Sequence, residues 1–340
     1  MRILIDVMSG DNAPEELLRG AVEAAESFNV DIAVCGNAEV IDAVAREKEL
    51  DLSPITVFHA PQVIGMEDSA LCVVREKSDS SMALGLHMLA EGKADAFVSA
   101  GNTGALVAGA TLIVRKIKGV RRAAIGTVLP FTPPFLLLDA GANPEITPDD
   151  AVQFALLGSV YAEKMLGRSK ARVGLLNNGA EATKGGEKRV ETYKLLSEHG
   201  EIDFVGNVES REIPYSPCDV LVTDGFSGNI VLKLCEGLGS YMFSRLKETM
   251  TQDLVTKASA LIMKPKLKKL KTEFSASEYG GAPLLGISKP VIKAHGSSDA
   301  RAIKNAVRQA MTVVSAGVIP EMARYAAKKQ DKPTEEGKEG

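Results

Sequence analysis

The chain has 340 residues, of which 45% are hydrophobic and 25% are charged, a composition typical of a soluble globular protein with a sizeable core. Its formal net charge of −4 argues against nucleic-acid binding, because neutralising a phosphate backbone requires a surplus of Lys and Arg. The sequence shows no signal peptide and no apolar run near the ~20 residues that cross a bilayer, so we expect a cytoplasmic protein.

Short apolar runs alternate with helical patterns along the chain. This alternation predicts a three-layer α/β fold, with a largely parallel sheet and helices on both faces. The predicted strands cover residues 2–7, 31–35, 56–59, 94–99, 123–129, 135–139, 171–176, 203–205 and 220–223. Helices are predicted over residues 14–28 and, after the third strand, in a long stretch that ends at Glu91.

Two regions depart from this alternation. Residues 234–271 have the pattern of a long helix with one interruption, at Pro265. From residue 327 onward the sequence is polar and charged, so we expect a disordered tail over 327–340. We therefore predict one α/β domain over 1–326, with 234–275 as a protruding helical hairpin that meets a second subunit or a membrane.

Four glycine-rich turns follow predicted strands: SAGNTG (99–104), DAGANP (139–144), NNGAEATKGG (177–186) and TDGFSGN (223–229). Glycine lets backbone N–H groups approach a ligand, and a helix N-terminus favours anions. The first and last turns are similar, VSAGNTGALV and VTDGFSGNIV. We interpret them as two walls of one anion and carbonyl pocket at the carboxyl edge of the sheet. The alternative is that the glycines simply form tight turns.

No metal or organic cofactor is predicted. The sequence lacks the GxxxxGK[ST] and GxGxxG fingerprints of nucleotide and dinucleotide sites. Its four cysteines are scattered and include no CxxC pair, which argues against a metal site or a disulfide framework. Cys35, Cys72 and Cys235 are expected to be packed, and Cys218 has no basic partner in sequence, so a covalent acyl-enzyme is the less favoured route.

Eight motifs occur in a recognisable order: MSGDNAP, REKSDSSM, SAGNTGAL, LLDAGAN, GAEATKG, GNVESRE, VTDGFSGN and YGGAPLLG. Together they closely resemble the bacterial phosphate acyltransferases of glycerophospholipid synthesis, the PlsX family, over residues 1–320. Two positions depart from the family pattern. Ser9 replaces a glycine, and Ser69-Ala70 follow the MED motif where Lys-Pro is usual. If that lysine binds anions, Arg75 or Lys77 is a candidate to replace it.

The resemblance implies reversible transfer of a long acyl chain from acyl carrier protein to inorganic phosphate. It also implies a homodimer and a fold similar to phosphotransacetylases and to isocitrate and isopropylmalate dehydrogenases. The product, an acyl phosphate, would supply phosphatidic acid synthesis by a membrane acyl-phosphate:glycerol-3-phosphate acyltransferase. We therefore expect a cytoplasmic enzyme that associates peripherally with the inner face of the cell membrane.

The reaction needs cations and hydrogen-bond donors more than a general base, because phosphate is already largely dianionic near pH 7. Lys184 is the leading cation for phosphate or the developing oxyanion. The Asn229 amide would hold the carbonyl or a phosphate oxygen, and a helix cap is an equally open role. His295 is a candidate proton donor to the thiolate, although a turn hydrogen bond is the more favoured role.

Further candidates come from the first strand and from the glycine-rich turns. The predicted phosphate- and acyl-binding residues are Asp6, Gly10, Asp11, Ser99, Gly101, Asn102, Thr103, Gly104, Asn143, Gly185, Thr223, Asp224, Gly225, Ser227 and Gly228.

Two basic stretches are candidate contact surfaces. Residues 257–271 contain six lysines and no acid, interleaved with apolar residues, a pattern typical of anionic lipid surfaces but also of a hairpin packed on a dimer partner. Residues 115–122 contain five cations and form a candidate docking patch for the acidic carrier protein, or a solvated loop. The predicted contact residues are Leu261, Ile262, Met263, Lys264, Lys266, Arg115, Lys116, Arg121 and Arg122.

Three other functions stay open at this point. A short-chain phosphotransacetylase that uses coenzyme A would need a similar anion pocket, but no membrane contact. A metal-dependent dehydrogenase of related fold would need clustered acidic ligands, and no convincing set is apparent. A non-catalytic, membrane-associated scaffold would use the glycine-rich turns only as connections.

Overall fold

The structure, a computed structural model, describes residues 1–273 and 279–328. Within these residues the strands are β1 (Arg2–Asp6), β2 (Asp31–Gly36), β3 (Ile55–His59), β4 (Ala96–Ser99), β5 (Ala124–Leu129), β6 (Phe135–Leu138), β7 (Arg172–Asn177), β8 (Asp203–Glu209), β9 (Val220–Val222), β10 (Ala282–Leu285) and β11 (Val291–Lys293). The α-helices are α1 (Glu15–Ser27), α2 (Ala38–Glu47), α3 (Ser81–Ala90), α4 (Thr103–Gly109), α5 (Pro148–Met165), α6 (Glu187–Glu198), α7 (Gly225–Thr249), α8 (Leu254–Glu273), α9 (Ala300–Ser315) and α10 (Val318–Lys328).

The strands form one sheet in the order β3-β2-β1-β4-β11-β10-β5-β6-β9-β7-β8. Strands β3, β2, β1, β4 and β11 are mutually parallel. The pairings β11–β10, β10–β5 and β5–β6 are antiparallel. Strands β6, β9, β7 and β8 are again mutually parallel. Following these pairings across the sheet, the two parallel halves point in opposite directions.

The sheet separates two hydrophobic cores, because successive side chains of a strand point to opposite faces. Ile3 and Ile5 of β1 belong to the core on one face, together with residues of α1, α5 and α9. Leu4 packs with residues of α3 and α4 on the other face. The predicted three-layer fold, with a largely parallel sheet, is confirmed.

Every strand predicted from the sequence is present, although β8 extends further than predicted. Strands β10 and β11 were not predicted, because each is short and follows glycine or proline. They pair between the two halves of the sheet, with Val291 opposite Phe97 and Leu284 opposite Ile125. Strand β11 ends beside the turn after β4, with Lys293 opposite Ser99.

Three helix predictions need correction. The stretch before Glu91 is not one long helix: α3 begins only at Ser81, where the Ser80 hydroxyl caps it. The interruption after residue 234 lies at residues 250–253, where Asp253 accepts the Thr256 N–H at 2.8 Å, and Pro265 lies within α8. Helix α10 includes residues 327 and 328. The remainder of the predicted tail, 329–340, and hairpin residues 274 and 275 lie outside the described residues.

Candidate active site

The carboxyl ends of β1, β4 and β11 lie side by side, because β4 pairs in parallel with both neighbours. The turn after β1 approaches the other two closely, and the Asp11 N–H donates to the Gly296 carbonyl at 2.8 Å. Gly10 has a φ of +131°, and a Cβ there would lie 3.1 Å from both the Ala100 Cβ and the Gly296 carbonyl oxygen. The predicted residues Gly10 and Asp11 thus belong to a packed three-turn junction.

Beneath this junction, Asp6 and Ser99 form a buried hydrogen-bond network. The Ser99 Oγ donates to Asp6 Oδ2 at 2.8 Å and accepts the Gly101 N–H at 3.1 Å. Burial raises the pKa of the Asp6 carboxyl, while the hydrogen bonds from the Ser99 Oγ and the Met8 N–H act in the opposite direction. Because Asp6 and Ser99 are fully buried, they support the turns from below.

Lys293, at the end of β11, is a buried lysine that the sequence analysis missed. Its side chain is 9% exposed, and its Nζ donates to the Ala100 carbonyl at 3.2 Å and to the Ala294 carbonyl. Burial lowers the pKa of Lys293 to about 8. The charge of Lys233 acts in the same direction, and Asp11 and Asp6 act in the opposite one. The sequence feature that points to a buried lysine here is its position directly after the apolar residues Val291 and Ile292.

His295 connects the three-turn junction to α7. Its Nε2 lies 3.2 Å from the Lys233 Nζ, and its Nδ1 lies 2.8 Å from the Ser297 Oγ. The turn hydrogen bond expected for His295 is therefore present. Burial lowers the pKa of His295, and Lys233 lowers it further. We refer to Lys233, Lys293 and His295 together as the amine–imidazole cluster.

Asn229 is not a helix cap. Helix α7 is capped by Asp224, whose Oδ1 accepts the Ser227 N–H at 2.7 Å, and Asn229 lies in the second helical turn. It precedes Lys233 by four residues, so both side chains lie on one face of α7. A Cβ on Gly141 would lie 3.7 Å from the Asn229 Oδ1. Within the part of the chain that the structure describes, the Asn229 amide makes no hydrogen bond and is available to a ligand.

The DAGANP turn is folded around its own carboxylate. Asp139 is fully buried and accepts N–H groups of Gly141, Ala142 and Asn143 at 2.7–3.0 Å. The Asn143 amide donates to Asp139 at 2.8 Å and to the Ala123 carbonyl at 2.7 Å. Asn143, a predicted ligand, thus has both of its amide N–H groups engaged in holding the turn.

Two glycines of the TDGFSGN turn allow α7 to begin against the Asp139 turn. A Cβ on Gly225 would lie 2.7 Å from the Asn143 carbonyl oxygen. A Cβ on Gly228 would lie only 1.9 Å from the Asp139 carbonyl oxygen. These two predicted ligands therefore set the position of α7, and hence of Asn229 and Lys233.

Arg189 is a second cation that the sequence analysis missed. Its guanidinium donates to Asp224 Oδ2 at 2.8 Å and to the Leu176 carbonyl at 3.0 Å, and lies 3.5 Å from the Ser227 Oγ. A cleft of about 440 Å³ opens beside it, where Thr223 is fully buried. The predicted residues that line this cleft are Gly185, Thr223, Asp224 and Ser227.

Lys184 lies in the exposed turn between β7 and α6. The Asn177 amide donates to its carbonyl at 3.1 Å, and its side chain crosses Gly179. Gly185 and Gly186 follow with φ of +91° and +76°. The structure gives no contact between Lys184 and the amine–imidazole cluster, so its predicted role stays a prediction.

The SAGNTG turn holds a neighbouring loop. Asn102 caps α4, and its Nδ2 donates to the carbonyls of Met66 at 2.8 Å and Asp68 at 3.1 Å. In that loop, the Lys77 Nζ lies 2.5 Å from Asp68 Oδ2. Lys77 is therefore paired within the loop, and Arg75 is exposed.

The remaining predicted ligands in the SAGNTG turn are Thr103, which is half-buried, and Gly104, which is exposed.

The two similar turns do not lie at one carboxyl edge. Because β4 and β9 belong to halves that run in opposite directions, SAGNTG and TDGFSGN follow strand ends at opposite edges of the sheet. That part of the pocket interpretation is wrong. The halves are instead connected through α7, which starts at the second turn and brings Lys233 to His295 at the three-turn junction.

The predicted contact surfaces differ in how much of their charge is paired. Arg121 lies 3.1 Å from Asp149, and Arg122 lies 3.4 Å from the buried Asp150. The Lys116 Nζ donates to a backbone carbonyl, and Arg115 is exposed.

On α8 the predicted contact residues are all exposed: Leu261, Ile262, Met263, Lys264 and Lys266. None of the helices within residues 1–273 and 279–328 has the length and apolar character needed to span a bilayer.

The cysteines are poorly placed for nucleophilic chemistry. Cys35, Cys72 and Cys218 are buried, and Cys235 is half-buried. Burial raises the pKa of all four thiols, to about 12 for Cys218.

Across the described ranges 1–273 and 279–328, no group of three or more His, Cys, Asp or Glu side chains is arranged to hold a metal ion.

Comparison with known proteins identifies the family of this chain. The family described as "Fatty acid synthesis protein" matches residues 1–321. A phosphate acyltransferase of Thermoanaerobacterium thermosaccharolyticum is 45% identical over 95% of this chain and 96% of its own length. One of Thermoanaerobacter pseudethanolicus is 46% identical over 94% and 95%. The chain therefore belongs to this family, which confirms the resemblance seen in the sequence. It is an enzyme, an acyltransferase.

Solved structures share the fold at low sequence identity. A phosphotransacetylase from Streptococcus pyogenes is similar with a TM-score of 0.62 and 16% identity, over 94% of both chains. A 4-hydroxythreonine-4-phosphate dehydrogenase from Klebsiella pneumoniae is similar with a TM-score of 0.55 and 12% identity, over 92% of this chain and 98% of its own. The likeness supports the predicted phosphotransacetylase-like and dehydrogenase-like architecture.

Proposed function

We propose that this protein transfers a long-chain acyl group reversibly from acyl carrier protein to inorganic phosphate. The acyl phosphate would serve phosphatidic acid and membrane phospholipid synthesis. The observation that carries the proposal is the amine–imidazole cluster: two lysines and a histidine beside backbone turns that leave no room for side chains. The names of the relatives, phosphate acyltransferases, support the same reaction.

The geometry suits a reaction in which charge must be neutralised and little proton abstraction is needed. Phosphate is largely dianionic near pH 7, and Lys233, half exposed in the cluster, would bind its oxygens. The Asn229 amide, one helical turn away, would donate to the oxyanion formed from the thioester carbonyl. Lys184 remains a further candidate for the cation that binds phosphate or the developing oxyanion.

We also propose that the enzyme acts as a homodimer. Helix α7 exposes large apolar side chains along one side, mostly four residues apart, which is the pattern of a helix face that packs against a partner. The side chains are Phe226, Ile230, Leu234, Leu238, Tyr241, Met242 and Leu246, between 39% and 66% exposed. A second copy of the chain, with an identical face, is the occupant that we propose.

Peripheral membrane association is proposed from α8. Leu261 and Ile262 are 70% and 82% exposed, and Lys264 and Lys266 follow them. Exposed apolar side chains next to lysines suit shallow insertion among anionic lipid headgroups. Release of acyl phosphate at the inner face of the membrane would pass it directly to a membrane acyltransferase.

The test compares donors. Palmitoyl acyl carrier protein, palmitoyl-coenzyme A and acetyl-coenzyme A are each incubated with and without phosphate, and acyl phosphate is trapped with hydroxylamine. We expect phosphate-dependent product from the carrier protein. Product from acetyl-coenzyme A alone would indicate a phosphotransacetylase. No product from any donor, with vesicle binding intact, would indicate a scaffold.

Variants then test the site. Lys233→Met is expected to raise KM for phosphate by roughly 10-fold, since a charge-assisted hydrogen bond is lost. Asn229→Ala is expected to lower kcat by roughly 100-fold, as for the loss of an oxyanion donor. Lys184→Ala tests whether Lys184 also binds phosphate or the developing oxyanion. Lys93→Met, which removes an exposed lysine paired with Glu91, is the control and should change neither constant.

A further inference from the structure

The proposed reaction leaves a thiolate that must take a proton, and the following inference rests on that reaction. An alkyl thiol has a pKa near ~8.5, so a proton donor with a similar pKa in the cluster would assist departure. The candidates in the amine–imidazole cluster are His295, Lys233 and Lys293.

His295 is poorly placed as the donor. Both ring nitrogens already have partners: Nε2 lies 3.2 Å from the Lys233 Nζ, and Nδ1 accepts the Ser297 N–H at 3.2 Å and lies 2.8 Å from the Ser297 Oγ. The ring therefore has no unengaged N–H to offer a departing thiolate. Burial and the adjacent Lys233 charge lower the pKa of His295, which disfavours a second proton.

Lys293 has the geometry that His295 lacks. An ammonium group has three N–H donors. Within residues 1–273 and 279–328 its Nζ bonds two acceptors, the carbonyls of Ala100 and Ala294. These two bonds hold the amine at the three-turn junction, and the third N–H has no bonded acceptor among the described residues. Lys233 is more exposed, is paired with Glu236 at 2.8 Å, and suits phosphate binding better.

We propose that Lys293 is the acid that protonates the departing sulfur. A phosphate oxygen forms the new bond to the acyl carbon and the C–S bond breaks. The sulfur keeps the electron pair of that bond and takes a proton from the Lys293 Nζ. The resulting neutral amine regains a proton from water. In the reverse direction the neutral amine accepts the proton of the incoming thiol.

The charges around Lys293 support this role. Burial lowers its pKa to about 8, and Lys233 on α7 acts in the same direction. Asp11 and Asp6, from the β1 side, raise it. With an alkyl thioester, kcat/KM should therefore rise as phosphate loses its second proton, near ~6–7, and fall as pH rises above about 8, where Lys293 loses its proton.

The experiment varies the leaving group. Octanoyl thioesters of N-acetylcysteamine and of 4-nitrothiophenol carry the same acyl chain, but the aryl thiolate leaves without protonation. For Lys293→Met we expect kcat/KM to fall roughly 100-fold with the alkyl donor and less than about 10-fold with the aryl donor. Lys293→Arg, which keeps the charge but cannot release the proton, should show the same selectivity. Lys233→Met should slow both donors equally.

Equal loss with both donors would overturn the proposal and leave Lys293 a structural residue. If the variant does not fold, the wild-type enzyme still decides: the alkaline fall in kcat/KM should be present with the alkyl donor and absent with the aryl donor. The same fall with both would also overturn it. A wild-type enzyme with no phosphate-dependent transfer would instead refute the proposed function.

Discussion

Gly10 illustrates how one residue determines the geometry of the three-turn junction. Its φ of +131° is one that side chains rarely adopt, and its hydrogen faces the Ala100 Cβ and the Gly296 carbonyl oxygen. A side chain here would push apart the turns on which Lys293 and His295 depend. The geometry of the proposed site therefore depends on a residue that carries no functional group.

Gly10→Ala is expected to lower the free energy of unfolding by about 1–3 kcal/mol and kcat/KM by roughly 100-fold, because the turns must separate. Gly92→Ala is the matched control, since Gly92 also has a positive φ, +75°, but no atom lies within 4 Å of its added Cβ. It should lose stability and keep activity. Urea unfolding and steady-state rates measure both, and full activity in Gly10→Ala would contradict the account.

The sequence indicates which residues are polar and follow strands, but it does not distinguish a ligand from a residue that holds a turn. Asp6, Ser99, Asn102 and Asn143 were predicted as ligands because they are polar and follow strands, but their side chains hold turns together. Lys293 could not be found, because its burial depends on β10 and β11, which are too short to be recognised in the sequence.

Helix α7 presents two different sets of side chains. One set includes Asn229 and Lys233, and the Lys233 Nζ lies 3.2 Å from His295 Nε2 at the three-turn junction. The other exposes the apolar side chains proposed to contact a second copy. The helix was recognisable from its apolar pattern. Its start was not, because Asp224 and Asn229 are both residue types that cap helices.

The double change Leu234→Asp and Leu238→Asp should convert the proposed homodimer to a monomer, because two charges would have to be buried in an apolar interface. Light scattering coupled to gel filtration measures the mass. Tyr215→Asp, at an apolar side chain that is 82% exposed but lies outside α7, is the control and should leave the dimer intact. A dimer in both variants would place the interface elsewhere.

For α8, the double change Leu261→Asp and Ile262→Asp should weaken binding to vesicles containing phosphatidylglycerol by roughly 10-fold or more, since two apolar side chains no longer insert. Co-sedimentation measures binding. Leu112→Asp, at a residue that is 53% exposed outside α8, is the control. Unchanged binding of the α8 variant would contradict the membrane proposal, whereas soluble-donor activity should be retained in either case.

The two parallel halves of the sheet point in opposite directions and are joined by antiparallel pairings through β10 and β5, while Lys233 of α7 contacts His295 of the other half. The alternation of strands and helices predicted the layers and the class of fold. It could not predict the reversal, because a strand pattern carries no direction, and the antiparallel strands β10, β5 and β6 arise from pairing between distant segments. The similar SAGNTG and TDGFSGN turns thus serve opposite edges of one sheet.

The most direct test of the central claim follows the oxygen atoms of phosphate. Palmitoyl acyl carrier protein is incubated with phosphate labelled at all four oxygens with oxygen-18, and the mass of the acyl phosphate is measured by mass spectrometry. Direct attack of phosphate on the thioester predicts a product that retains all four labelled oxygens, together with one free carrier thiol for each product molecule. Release of the carrier thiol with only unlabelled fatty acid would show transfer to water and contradict the account.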